Sequence, residues 1–195
     1  FRIGYDTFKY DKTKSKRRSN AAAFAFQMPD DLFPSPFDNM FVLRYVDRPE
    51  SRRAANMNVL MMAWLCGCQV LVERNAGDHY IEHYRDVDCY GFLMHLPGEL
   101  EPGITTTSSG SNKTVDVICN RTEQYINEHI KKVYFKTLIR KETGWLGFKV
   151  EDTEAFDEPM AAGITLIAVY GKQYRKLKNL STTNVENILP YRKAI

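Results

Sequence analysis

Val70, Leu71 and Val72 run without interruption into Glu73. An apolar run this short, followed by the turn-like Arg74-Asn75-Ala76-Gly77-Asp78, reads as a buried strand. It fixes one element of the core and puts a carboxylate at its end. Glu is depleted in strands, and a charge at a core edge is costly unless something pairs with it. Functional groups of open α/β sheets gather at the carboxyl ends of strands. Glu73 is therefore either a solvated strand end or one wall of a site, and the rest of the chain has to decide.

Upstream, Phe1 to Asp6 alternates, with Phe1, Ile3 and Tyr5 on one face and Arg2, Gly4 and Asp6 on the other. This predicts a first strand with Asp6 near its end. Gly4 would leave open space beside Asp6, suited to close approach of a ligand. Ala21 to Met28 and Phe41 to Val46 read as second and third strands, with Pro29, Pro34 and Pro36 marking a long turn between them. Three strands without an intervening helix predict an antiparallel meander.

From Glu50 to Cys66 the period becomes helical, with Ala54, Met57, Met61, Trp64 and Leu65 as the expected buried stripe and Gly67 as the stop. After the Glu73 strand come a short polar helix within Gly77 to Asp88 and a fifth strand, Tyr90 to Leu96. Pro97 to Asn112 reads as a loop, and Thr114 to Lys132 as an amphipathic helix with Val115, Ile118, Cys119, Thr122, Tyr125 and Ile126 on one side. Val133 to Val150 is ambiguous, readable as a helix broken at Gly144 or Gly147. The acids Glu151, Asp152, Glu154, Asp157 and Glu158 lead into an apolar helix, Met160 to Tyr170. A helix dipole favours acids at such a start, and Pro159 suits a first turn. The expected organisation is one domain over residues 1–171 and a basic tail over 172–195.

Asp6, Glu73 and Asp157 with Glu158 each stand where an apolar element meets a turn. Converging carboxylates of this kind can hold Mg²⁺ or Mn²⁺, which prefer oxygen ligands. Two such ions ~4 Å apart clamp the attacking and leaving oxygens of a phosphodiester. The plain alternative is a set of unrelated polar element ends. His79-Tyr80-Ile81-Glu82-His83 spells H-x-x-E-H, a zinc-hydrolase signature short enough to match by accident, and no third ligand on a following helix is obvious. Gly110-Ser111-Asn112-Lys113-Thr114 fails the P-loop pattern. Its Ser/Thr-rich loop and Lys113 could hold a phosphate at a helix start, or simply cap the helix. Basic segments, Lys9 to Arg18 (with Lys14, Lys16, Arg17 and Arg18) and Lys172 to Lys193, would attract a polyanion if a metal site stood beside them.

The bulk numbers narrow the class. The chain has 195 residues, 44% of them hydrophobic, enough for a core. Its formal net charge of +3 does not by itself imply a nucleic-acid partner. Cys66, Cys68, Cys89 and Cys119 lack zinc-ribbon spacing and read as reduced thiols of a cytosolic protein. No apolar run approaches a membrane span. The strand-like opening Phe1-Arg2-Ile3, with no signal peptide before it, predicts a domain of a longer protein that is not secreted.

Taken together, Gly4-Tyr5-Asp6, Val70-Leu71-Val72-Glu73-Arg74-Asn75-Ala76-Gly77, Gly103-Ile104-Thr105-Thr106-Thr107 followed by Lys113, and Phe156-Asp157-Glu158 before a last helix resemble, in order and spacing, the C-terminal nuclease domain of tailed-phage large terminase subunits, members of the RNase H-like superfamily. The resemblance implies an α/β fold: an RNase H-like mixed sheet of five or slightly more strands, three antiparallel and two parallel, with helices on both faces. Strands one and four would be neighbours, so Asp6 and Glu73 would stand side by side. Asp157 would complete a site for two divalent ions, Mg²⁺ or Mn²⁺, with Glu158 also in the ligand set; either of the two acids could be the principal ligand, and Asp157 is preferred. Lys113, Lys14, Lys16, Arg17, Arg18 and Arg74 would contact DNA. The implied activity is metal-dependent cutting of double-stranded phage DNA during genome packaging, in the host cell cytoplasm. Implied partners are a packaging ATPase domain of the same full-length chain, a portal and a small terminase subunit. The family's last motif is commonly a paired Asp-Asp, often preceded by His, where this chain has Phe156-Asp157-Glu158-Pro159; Asn20 stands where an acid often precedes the second strand. A junction resolvase or integrase-type nuclease, and a non-catalytic DNA-binding assembly module, are the alternative expectations.

Overall fold

A computed structural model describes residues 1–8, 19–75, 78–107, 114–150 and 156–171. Lys14, Lys16, Arg17, Arg18, Lys113, the acids Glu151, Asp152 and Glu154, and the tail from Lys172 lie outside the described residues. The fold is α/β, with a four-stranded mixed sheet. Its strands are β1 (Arg2–Asp6), β2 (Ala21–Gln27), β3 (Met40–Asp47) and β4 (Val70–Val72), in the spatial order β3-β2-β1-β4. The first three form the expected antiparallel meander, with Asp6 opposite Ala22 and Ala21 opposite Asp47. β4 joins β1 in parallel, with Ile3 opposite Val70 and Tyr5 opposite Val72, and the Glu73 N–H donates to the Tyr5 carbonyl at 2.9 Å. Asp6 and Glu73 thus leave the ends of adjacent parallel strands.

Alternation along the strands divides the core. Ile3, Tyr5, Ala21, Ala23, Ala25, Val70 and Val72 face helices α1 (Arg52–Cys66) and α2 (His79–Asp86). Ala22, Phe24, Phe26 and Leu71 face α4 (Asp157–Tyr170), behind which α3 (Thr114–His129) packs. Alanine is a poor strand former, yet four of the seven β2 residues are alanine. Small side chains on both faces let helices approach closely: Ala55 and Ala63 on one side, Ala161 and Ala162 on the other.

α4 is the central helix, buried from Pro159 to Ala168. Its seat on β1 explains Gly4 and corrects the expectation of ligand space there. A Cβ at Gly4 would lie 2.2 Å from the Thr165 backbone nitrogen and 2.7 Å from the Ala161 carbonyl oxygen. The Gly4 N–H donates to the Thr165 hydroxyl at 3.1 Å. Asp157, Ala161 and Thr165 follow at i, i+4 and i+8, one stripe of the helix. With the last two seated on Gly4, the first reaches toward Asp6. At the other end of α4, the buried Arg121 of α3 donates to the carbonyls of Tyr170 and Gly171. A cation at a helix C-terminus satisfies orphan acceptors and suits the dipole.

Three expectations fail. The fifth strand does not form. Tyr90–Phe92 is a 3₁₀ turn, and the free edge of β4 is met by two separate pieces: Leu93 beside Val70, and Ile104 beside Glu73. Between them the chain loops out through Pro97 and Pro102, with Gly98 and Gly103 at positive φ, so no continuous strand can lie along so short a neighbour. The expected α1 stripe is also wrong. Ala55, Asn56, Val59, Leu60 and Ala63 are buried, while Trp64 and Leu65 are 77% and 78% exposed and Met57 and Met61 also face out. Finally, the ambiguous 133–150 segment forms no α-helix; it holds the 3₁₀ turns Lys136–Ile139 and Trp145–Gly147. The Gly67 stop of α1 holds: it is left-handed at φ 59° and its N–H donates to the last-turn carbonyls. Cys66, Cys68, Cys89 and Cys119 are free thiols. Among the described residues no helix is long and apolar enough to cross a membrane.

Candidate active site

The ends of β1, β3 and β4, the start of β2 and the first turn of α4 meet at one end of the sheet. Asp6 is at the centre and buried. Burial, then the charge and hydrogen bonding of Glu73, then the charge of Asp157, push its carboxyl well above the ordinary carboxylate range. Glu73, within hydrogen-bonding reach, and Asp157, acting through its charge, are thus the acids that face Asp6.

Each neighbour of Asp6 is held in turn by further polar groups. Glu73 Oε1 accepts a hydrogen bond from the Thr106 hydroxyl. Thr106 is itself fixed by Asn75, whose side chain donates to the Thr106 carbonyl at 2.7 Å and accepts from the Thr106 N–H at 3.2 Å. Asp157 accepts from the Ser19 hydroxyl at 2.6 Å and from the Asn20 N–H at 2.7 Å. Burial pushes the Asp157 carboxyl up, and Ser19, Asn20 and Arg48 only partly offset it. Arg48 donates to the Ser19 carbonyl, and its guanidinium lies 4.4 Å from the Phe8 ring centroid. Asn20 therefore serves the site through its backbone. Thr106 belongs to Gly103-Ile104-Thr105-Thr106-Thr107, whereas Ser19 and Arg48 carry no local signal in the sequence.

Glu158 is engaged elsewhere. Arg44 of β3 grips it with two bonds, of 2.7 and 2.8 Å, and the Thr137 hydroxyl donates at 2.7 Å. Burial alone would raise its carboxyl, but Arg44 and Thr137 outweigh burial and hold it below the usual range. Arg74, expected to face a phosphate, is paired with Glu101. Near Lys113, the described groups bond to one another: the Thr114 N–H donates to the Thr107 hydroxyl at 3.3 Å, the helix-capping arrangement.

Among the described residues, no three His, Cys, Asp or Glu side chains stand together as a ready-made metal site. Both oxygens of Asp157 accept hydrogen bonds, one from Ser19 and one from Asn20. The donor set is nevertheless that of a hard cation: oxygens only, with Asp6 buried and Glu73 and Asp157 half-buried, and mutually repelling without a positive charge between them. The H-x-x-E-H segment offers no such set. His83 is buried with both ring nitrogens lacking hydrogen-bond partners, and burial, then Arg53, lowers its pKa. His79 Nδ1 sits 3.2 Å from Asn56 Nδ2, and Asn56 Oδ1 accepts from the Tyr5 hydroxyl at 3.0 Å. This segment is a polar packing layer under β1.

Comparison of the chain with protein-family models, with curated proteins and with solved structures returned no match.

Proposed function

We propose that this chain is an RNase H-like, metal-dependent endonuclease domain that cuts double-stranded DNA, of the kind found in phage terminase large subunits. The observation that carries the reading is Asp6: a buried carboxylate whose described electrostatic neighbours are two further carboxylates. Such a cluster is costly unless a cation joins it. The adjacency of β1 and β4, and an acid-bearing helix start delivered to the same sheet end, support the choice of nuclease.

Asp6, Glu73 and Asp157 would hold Mg²⁺ or Mn²⁺, two ions in the full site; Glu158, tied to Arg44, is left out. Bound there, the ions would supply Lewis acidity and a water of lowered pKa. The chain's own residues do the positioning. Thr106 orients Glu73, and Ser19 with the Asn20 N–H holds Asp157 until it exchanges those bonds for the cation. Arg48 supplies positive charge beside Asp157. A packaging ATPase in the same full-length chain, a portal and a small terminase subunit would be its working partners, in the host cytoplasm. Asp6→Asn should abolish Mn²⁺-dependent cleavage of plasmid DNA while the far-UV circular dichroism stays that of the parent. Full activity in that variant would end the proposal.

A further inference from the structure

The stretch from Lys131 to Lys141 carries five positive charges and no acid, more than the formal net charge of +3 of the entire chain. The remainder of the molecule is therefore net acidic, and this stretch is a local concentration of charge. The structure gives it a defined path. It starts at the far end of the sheet, where the Lys132 ammonium donates to the Asp38 carbonyl at 2.8 Å. There a cleft of about 530 Å³ is lined by Met40, Lys131, Lys132, Val133, Tyr134 and Lys136. It ends at the first turn of α4, where Thr137 donates to Glu158 and Arg140 adds its charge.

The path is anchored from beneath. Leu138 is fully buried, and the Phe135 ring stands edge-on to Phe24 with centroids 5.8 Å apart. The charged groups face outward: Lys131, Lys136, Arg140 and Lys141 are exposed. Tyr134, 76% exposed between them, stands edge-on to the Phe135 ring with centroids 5.7 Å apart and leaves most of its own ring open to solvent. Met40 and Arg44 mark the two ends of the path on β3. A bulge lies between them, so they pair with Gln27 and Phe24, three residues apart on β2; at about 3.3 Å per strand residue the separation is roughly 10 Å, the length of about three nucleotide steps on one strand.

We infer that Lys131, Lys136, Arg140 and Lys141, with Tyr134, form a track for a nucleic-acid backbone that leads to the carboxylate end of the sheet. Nucleic acid is favoured over an acidic peptide because the lysines flank an exposed ring, the combination that neutralises phosphates and packs on sugar or base. The choice of DNA as the strand bound, and the destination of the track, rest on the endonuclease reading.

The test is fluorescence anisotropy with a labelled DNA duplex in EDTA, between about 50 and 200 mM salt. It compares the parent chain with K131Q/K136Q/K141Q. Each lost phosphate contact should reduce the slope of log affinity against log salt by about 0.9, so the triple variant should lose about 2–3 units of slope. Tyr134→Ala should weaken binding with the slope kept. If the triple variant does not melt cooperatively, Lys136→Gln alone should still lower the slope by about 0.9. An unchanged slope in a folded variant overturns the track, as does displacement of the duplex by polyglutamate at equal charge. The two readings separate cleanly. A parent chain that binds with the expected slope but does not cut keeps the track and ends the endonuclease reading. One that cuts while the variants keep the parental slope does the reverse.

Discussion

Gly4→Ala tests the contact that delivers Asp157 to Asp6. The added Cβ would meet the Thr165 nitrogen at 2.2 Å, its hydroxyl at 2.6 Å and the Ala161 carbonyl at 2.7 Å. Two of these atoms are backbone, so the conflict cannot be relieved by a rotamer change, and α4 must retreat by about 1 Å to restore ordinary contact. Overpacking of this kind costs about 1–3 kcal/mol. Loss of the Gly4–Thr165 hydrogen bond adds about 1 kcal/mol. The stiffer unfolded chain returns about 0.4–1 kcal/mol. The net loss is about 1–3.6 kcal/mol, which for a chain of this size lowers Tm by roughly 2–14 °C. If the retreat carries Asp157 with it, a displacement near 1 Å should slow cleavage about 10²-fold. Thermal melts give the first quantity. Initial rates of Mn²⁺-dependent plasmid cleavage, at a temperature where both proteins are folded, give the second. A parental Tm would refute the seating of α4 on Gly4. A lowered Tm with parental cleavage per folded molecule would refute the role assigned to Asp157.

Other perturbations separate the acids. In EDTA, Asp6→Asn should be more stable than the parent. Because the folded pKa of Asp6 is raised, the parent is at its best below the ordinary carboxylate range and loses stability as pH rises through the folded value. The gap in Tm should therefore widen with pH, and Mn²⁺ should raise the Tm of the parent but not of the variant. Thr106→Val removes the hydroxyl that orients Glu73 and should raise the Mn²⁺ concentration for half-maximal cleavage about 10–100-fold. Glu158→Gln should cost about 1–2 kcal/mol in urea unfolding at neutral pH through the Arg44 and Thr137 contacts. Its carboxyl is held low, so the difference should shrink as pH falls below the ordinary carboxylate range and be lost once the folded carboxyl protonates, while Mn²⁺ binding by calorimetry stays parental. His83→Phe should change stability by less than about 1.5 kcal/mol and leave cleavage intact, and the purified parent should carry no stoichiometric zinc.

Sequence periodicity tells which residues share a face, not which face the core accepts. α1 carries two apolar faces: a small one, Ala55, Val59 and Ala63, and a large one, Met57, Met61, Trp64 and Leu65. The larger side chains invite the wrong choice. The sheet opposite is lined by Ala21, Ala23 and Ala25, which admits the small face closely. Gly4 misleads for the same reason, since a missing side chain leaves room for a helix as readily as for a ligand. The strand ends were more legible. Alternation in Phe1 to Asp6 and the unbroken run before Glu73 each locate a carboxylate without reference to anything distant. Only the family resemblance made the two strands neighbours, and the register bears that out.

The choice between Asp157 and Glu158 shows where local reasoning stops. Both stand in the first turn of α4, where the dipole favours either. Consecutive residues on a helix point about 100° apart, so the stripe that turns Ala161 and Thr165 onto Gly4 can turn only one of the two acids toward Asp6. That stripe selects Asp157. What receives Glu158 is Arg44, whose side chain lies on the α4 face of β3 because residue 44 is paired with Phe24. Two registers, helix against strand and strand against strand, thus assign one acid to the cluster and the other to a structural ion pair. Neither register can be read from the four residues Phe156-Asp157-Glu158-Pro159 themselves.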